Sequence, residues 1–473
     1  MTGALGRLAL SPVAWALALA PVGALSVLLA DRTNPAVPLV ALFGIGAVLL
    51  AYTQPLLALL AAIALVPLEV FAIPLGGIGL SPSEMLFVVT ALVWAVSRLA
   101  AGHAPWISSP VSWPLLLLWL AALPALAVAQ EPDAVLRFML FWGCFVLLFA
   151  LIAAEADLSS IRTLLFGLAV VGAIVAGAAV LGSAGTEQEL SATGDVATGR
   201  ARGAFGSPNI LGTFLAMTLP LAVLAALEGR WRRAPVAIAA VGLIFAALAL
   251  SLSRGGIFAA AGALMLMLAW PPVRRLAAIG VVVLVGVTVL NANPLGDVRQ
   301  VEVVLDRVQS VRLQSASSTD QRTLIYSETP RMIEDHLLTG VGALNYPNVA
   351  PRYGIVEPRS GATFEHAHNI GLTIGAELGL LGLIALAWLL VALVRLVPRV
   401  CGRGAGPNRG IGLAVTGGLV AVGLQGLIDF TLRSNVIAAI TFVLLGSFAA
   451  LARATPGDGS GGSTPAAPAR AAS

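Results

Sequence analysis

The chain has 473 residues, of which 58% are hydrophobic and only 11% charged, and its mean hydropathy is +0.94. Soluble domains carry roughly 25% charged residues, so this balance excludes a water-soluble globular protein and marks an integral membrane protein. All 27 positive charges are arginine, and because they flank apolar runs the basic balance is no sign of nucleic-acid binding.

A spanning helix needs about 20 predominantly apolar residues. By that measure candidate spans lie at 8–30, 36–52, 54–73, 83–100, 112–129, 134–154, 160–182, 208–227, 234–252, 255–270, 275–293, 369–394, 410–430 and 434–452. Some of these are short or proline-rich, so the expectation is an all-α, polytopic membrane protein with 12–14 transmembrane helices. The first run, led by Arg7, has the look of a signal peptide, but the many spans behind it make it an uncleaved helix. The short arginine-bearing loops 228–233, 270–275 and 395–409 go to the cytoplasm, and both termini with them.

The opposite face then receives loop 183–207, the turn at 253–255, the long segment 294–367 and the turn at 429–433. Within the long segment, "STDQRTLIYSETPRMIEDHLLTG" has a helical pattern, with Thr319 as N-cap and Pro330 as a break. The organisation expected is therefore N-terminal helices over 1–182, helices with outer arginine loops over 183–293 and a long, partly helical outer loop over 294–368. C-terminal helices over 369–452 and a disordered Gly/Ser/Pro/Ala tail over 453–473 complete it.

The outer face collects Arg200, Arg202, Arg254, Arg322, Arg331 and Arg433. Each alone reads equally as an interfacial arginine snorkelling to headgroups. Together they suit a phosphate or diphosphate, which guanidinium groups grip bidentately. Arg254 stands out, because its turn is short and two glycines follow it.

The chain has only four histidines, and His366 and His368 stand two residues apart in "FEHAHNIGLTIGAELGLLGL". Asn369 is placed to cap the following helix, and His368 lies at its positive end, which favours the neutral ring that a general base needs. A histidine at a helix start is more often structural, but the arginines sharing its face favour chemistry. A metal would need more ligands, since His-x-His supplies two and no Asp-x-Asp or other acidic cluster is near in sequence. Cys144 and Cys401 are too far apart to form a metal motif. Gly371, Gly375 and Gly379 recur every fourth residue as a stripe on which another helix would pack closely. Glu377, amid this apolar run, must face the protein interior, either paired with an arginine or hydrogen-bonded within the bundle.

Taken together, "RGAFGSPN" at Arg202–Asn209, "SLSRGG" at Ser251–Gly256, "RTLIY" from Arg322 and "HLLTGVGALNY" at His336–Tyr346 resemble the bacterial O-antigen ligase and O-antigen polymerase family. His368, Asn369, Gly379 and Gly382 match its His-Asn-x9-Gly-x-x-Gly pattern in full. The chain departs at Leu337, where the family usually has proline, and at Tyr326, where it often has leucine or tryptophan.

The resemblance implies a GT-C-like membrane glycosyltransferase of the bacterial inner membrane with a periplasmic active site and no cofactor. Its donor would be a glycan on undecaprenyl diphosphate, and its acceptor lipid A–core for a ligase or a growing glycan for a polymerase. His368 would be the base that deprotonates the acceptor. Arg254 and Arg322 would bind and stabilise the diphosphate, assisted by Arg202 and Arg200. His366, Asn369, Asp429 and Arg433 would line the substrate site, with Asp429 orienting the base or holding an arginine. A transporter or flippase is the competing class, but its inverted repeats and mid-membrane charges do not stand out in this sequence.

Overall fold

The computed structural model describes residues 36–71, 73–75, 78–183, 201–228, 234–278, 322–357, 361–402 and 407–454. The first span at 8–30, Thr319, Arg200, most of the span at 275–293 and the C-terminal tail lie outside them. Helices dominate: α1 (Ala36–Thr53), α2 (Pro55–Ala64), α3 (Pro82–Ala100), α4 (Ser112–Leu120), α5 (Pro132–Glu155), α6 (Leu158–Ser183), α7 (Pro208–Glu228), α8 (Ala234–Ser251) and α9 (Arg254–Met267). They are followed by α10 (Pro271–Ala278), α11 (residues 322–335), α12 (Ile370–Cys401), α13 (Pro407–Gly426) and α14 (Asn435–Ala454). Among the described residues 6 helices are long and apolar enough to cross a membrane, or 7 if the bent pair α9–α10 counts as one. Shorter apolar helices, α2 and α4 among them, occupy other expected spans.

Prolines shorten several of those spans. The expected span 54–73 ends at Ala64, passes through a tight turn at Val66–Leu68, and gives way to an antiparallel hairpin pairing Ile73 with Leu80 and Leu75 with Ile78. Gly76 and Gly77 between two short apolar runs were the sequence signal for this hairpin. Helix α4 stops at Leu120, before Pro124. Pro271 lies where α10 leaves α9 at a bend of 117°, a first-turn position that proline tolerates. Pro330, by contrast, does not break its helix: α11 runs through it. Ile325, Thr329 and Met332 on the same helix are fully buried, so packing holds α11 together across the missing N–H.

Ion pairs mark one end of the bundle. Arg98 reaches Glu155 at 3.3 Å, joining the C-terminal ends of α3 and α5, and Arg162 approaches Glu228 at 4.0 Å, joining the start of α6 to the C-terminal end of α7. At the other end Asn345, beyond α11, accepts from the Glu131 amide at 2.8 Å and donates to the Glu131 carbonyl at 3.1 Å, just before α5. Helices α7, α9 and α13 pack on one another, while α14 packs against α5 and is buried along almost its whole length.

The segment before α12, expected from the sequence to be the outer one, has a small core of its own, in which Ile325, Met332, Val341, Tyr346, Ala367 and Ala376 are buried together. Ala376 belongs to α12, so this core is built onto that helix. Of the glycine repeat of α12, Gly375 receives helix α11 and Gly379 receives the turn after it, while Gly371 faces only Asn369. Gly375 lies against Ile333, where a Cβ would fall 2.9 Å from Ile333 Cδ1, and Gly379 breaks the helix at φ 63°. The turn Leu337–Gly342 fits that break. Its Val341 and Gly342 amides donate to the Ala376 and Glu377 carbonyls at 2.8 and 3.1 Å, and the Leu380 amide donates to the Leu337 carbonyl at 2.7 Å. Backbone groups freed by the break are thus satisfied by the outer segment.

Candidate active site

At the end of the bundle that carries Asn345, four chain segments converge: the starts of α7, α9 and α12, and the turn between α13 and α14. Asn369 caps α12 as expected, its Oδ1 accepting from the Leu372 amide at 3.1 Å. The residue before it, His368, has φ 50°, a left-handed conformation that a non-glycine residue holds only when its surroundings fix it. Three contacts do so. Tyr326 on α11 donates its hydroxyl to the His368 carbonyl at 3.1 Å, Asn369 Nδ2 donates to the Leu427 carbonyl at 3.1 Å, and the Ala367 backbone amide donates to Thr373 Oγ1 at 3.3 Å.

The side chain of His368 meets Asp429, with Nδ1 at 2.8 Å from Oδ1. His366 Nε2 reaches the same oxygen at 2.9 Å. An ionised carboxylate only accepts, so both ring nitrogens donate, which fixes the proton of His368 on Nδ1 and leaves its Nε2 as the basic lone pair. The side chain of His368 is 28% exposed, against 13% for His366 and 8% for Asp429, so a substrate reaches His368 more readily. His366 Nδ1 is buried, with no hydrogen-bond partner among the described residues, and the two rings lie 4.5 Å apart.

The second oxygen of Asp429 accepts from Asn209 Nδ2 at 2.8 Å. Burial raises the Asp429 carboxyl's pKa, but the hydrogen bonds of His366 and His368, and their charge when protonated, outweigh it and hold the group well below the usual carboxylate range. Burial likewise pushes the Tyr326 hydroxyl up; Arg322 one turn away pulls it back and Asp429 adds to the rise, so the phenol stays a donor at neutral pH.

The predicted site residues divide accordingly. His366, His368, Asn369 and Asp429 come together, and Asp429 orients histidines, not an arginine. Arg322 stands half-buried on α11, one turn from Tyr326. Arg254 opens α9, exposed, directly after Ser253, whose hydroxyl caps that helix by accepting from the Gly256 amide at 3.2 Å. Arg202 is exposed beside Ala201, whose amide donates to the Leu250 carbonyl at 3.1 Å. Arg433 is committed elsewhere, for its Nη1 lies 2.7 Å from Glu377 Oε1; this settles which partner Glu377 takes.

The acidic group that the His-x-His pair lacked in the sequence is supplied by Asp429. One ligand atom from each of His366, His368 and Asp429 lies within 4.8 Å of the others, a set that could hold a cation. In the structure these atoms bond to one another instead. Sequence reasoning missed Asn209, Ser253 and Tyr326. Asn209 ends "RGAFGSPN" and Ser253 precedes Arg254, and their polarity at helix starts was the available signal.

The fold and site together define a multi-pass, all-α membrane protein with a histidine–carboxylate cluster at one end of its bundle. A family model described as O-antigen ligase matches residues 239–387, a stretch holding Arg254, Arg322, His366 and His368. Over those residues the chain is similar to that family. No curated protein matches the chain.

Proposed function

We propose that the protein is a metal-independent, inverting glycosyltransferase of the bacterial inner membrane. It transfers a glycan from undecaprenyl diphosphate to a hydroxyl of lipid A–core at the outer face, which makes it an O-antigen ligase. The observation that carries this reading is the His368–Asp429 pair, with Nδ1 of the ring bound at 2.8 Å and Nε2 left as base, at the end of the bundle where Arg254 and Arg322 lie.

In the reaction the acceptor hydroxyl attacks the anomeric carbon from the side opposite the diphosphate. Its proton passes to His368 Nε2, and Asp429 stabilises the resulting imidazolium. The bond from the anomeric carbon to the diphosphate oxygen breaks with its electron pair on that oxygen, inverting the centre. Arg254 and Arg322 hold the diphosphate and stabilise its growing charge, with Arg202 and Arg200 assisting. The hydrogen bonds of His366 and His368 to Asp429 support a proton-transfer role, and the arginines would supply the positive charge that a divalent cation brings elsewhere.

Deleting the gene and examining the surface glycan tests the assignment. A ligase leaves full-length polymer unattached to lipid A–core, a polymerase leaves single repeat units, and an unchanged glycan contradicts both. With purified protein and lipid-linked glycan, release of undecaprenyl diphosphate should persist in EDTA; its loss would overturn the metal-free mechanism.

A further inference from the structure

We infer that Asn209 is a positioning residue that locks the Asp429–His368 pair to the arginine-bearing helix α9; this rests on the glycosyltransferase reading above. The backbone of Asn209 already has its own cap, since its amide donates to Ser207 Oγ at 3.2 Å. Its side chain bridges between helices. Oδ1 accepts from the Ser253 hydroxyl at 3.2 Å, and Nδ2 donates to Asp429 Oδ2 at 2.8 Å. The amide cannot be reversed, because a carboxylate must receive a donor.

A continuous run of bonds results. The Gly256 amide donates to Ser253, Ser253 to Asn209, Asn209 to Asp429, and His368 to the other oxygen of Asp429. Close packing of α7 on α9 makes the first links possible. A Cβ on Gly256 would fall 2.8 Å from the Gly212 Cα, and one on Gly212 would fall 2.8 Å from the Ser253 Cβ. Gly212 and Gly256 each stand three residues after a bridging residue, so their contact brings Asn209 and Ser253 together. Arg254 follows Ser253 directly.

The base and the arginine thus sit on different helices, and the Asn209 amide spans the gap. It also fixes the plane of the Asp429 carboxylate, and with it the direction in which His368 presents Nε2. Without that amide a buried carboxylate oxygen loses a donor and the carboxylate turns towards other partners. Donor affinity, which belongs to the arginines, should survive while the chemical step slows.

The test follows release of undecaprenyl diphosphate from lipid-linked glycan extracted from cells lacking the gene, with lipopolysaccharide core from the same cells as acceptor. Asn209→Ala should lower kcat by about 10- to 100-fold with donor KM changed less than about twofold. Asn209→Asp keeps the shape and replaces the donor by an acceptor, so it covers the case in which the alanine variant does not fold, and it should lose kcat in the same way. A kcat per folded molecule equal to wild type in either variant, or a loss confined to KM, would overturn the inference. His368→Ala is measured alongside: if that variant turns over normally the base assignment itself is wrong, whereas an inactive His368→Ala with a fully active Asn209 variant refutes only the role of Asn209.

Discussion

Asp429 Oδ1 lies 2.8 Å from His368 Nδ1 although 61 residues separate the two in the chain. The carboxylate holds the ring proton on Nδ1 and so decides which nitrogen acts as base. Asp429→Asn keeps the shape but presents a neutral amide, which neither fixes the tautomer nor stabilises an imidazolium. We expect kcat to fall by about 100- to 10,000-fold, measured at saturating donor with the amount of folded protein quantified. Turnover within about twofold of wild type would remove Asp429 from the mechanism.

Tyr326 occupies a position where family resemblance leads one to expect leucine or tryptophan. Its hydroxyl holds the carbonyl of His368 at 3.1 Å, on a residue with φ 50°. Tyr326→Phe removes one hydrogen bond of roughly 0.5–1.5 kcal/mol and should slow turnover by about 2- to 10-fold. Tyr326→Leu should lose no less, because it removes the same hydroxyl. If both variants match wild type, the hydroxyl contact has no part in holding the base.

The helical class and the capping role of Asn369 were legible in the sequence, because apolar run length and cap chemistry are written in neighbouring residues. Asn209 and Asp429 were harder to read: their hydrogen bond joins residues 220 positions apart, and no local pattern encodes such a pairing. The glycine repeat was legible in part: Gly375 does receive a helix, α11, but period-four spacing does not show that Gly379 receives a turn, and only its left-handed φ distinguishes the two.

Gly340 (φ 64°) faces the Glu377 carbonyl so closely that any Cβ would collide with backbone, and Gly379 (φ 63°) has Leu337 O at 2.6 Å from its Cβ position. Neither neighbour is a flexible side-chain end. Gly340→Ala and Gly379→Ala should each destabilise the protein by about 1–3 kcal/mol or more, through left-handed strain plus displacement of the outer segment. Thermal unfolding in detergent reads this, and faster proteolysis within residues 322–357 should accompany it. Unchanged Tm and protease resistance would contradict the interlock.

Glu377 and Arg433 form an ion pair at 2.7 Å with side chains only 5% and 17% exposed. Removing one partner strands the other, so Glu377→Ala should destabilise by about 3–5 kcal/mol. Glu377→Leu combined with Arg433→Met replaces the pair by apolar groups and should recover most of that loss. A double variant no more stable than Glu377→Ala would mean that the two residues act independently.

The acid side of the stability profile follows from Asp429. Its carboxyl is buried, which alone would raise its pKa, yet bonds and charge from His366 and His368 hold it well below the usual range in the folded protein. The unfolded value is near 3.9, so above about pH 4 both states are ionised and the full stabilisation is present. As pH falls through that value the unfolded chain binds a proton that the folded protein does not, and stability drains away until the folded pKa is passed. Asp429→Asn lacks this dependence. The Tm difference between wild type and Asp429→Asn should therefore be largest near neutral pH and shrink towards about pH 3. A difference that stays constant or widens on acidification would show that Asp429 is not held ionised by its two histidines.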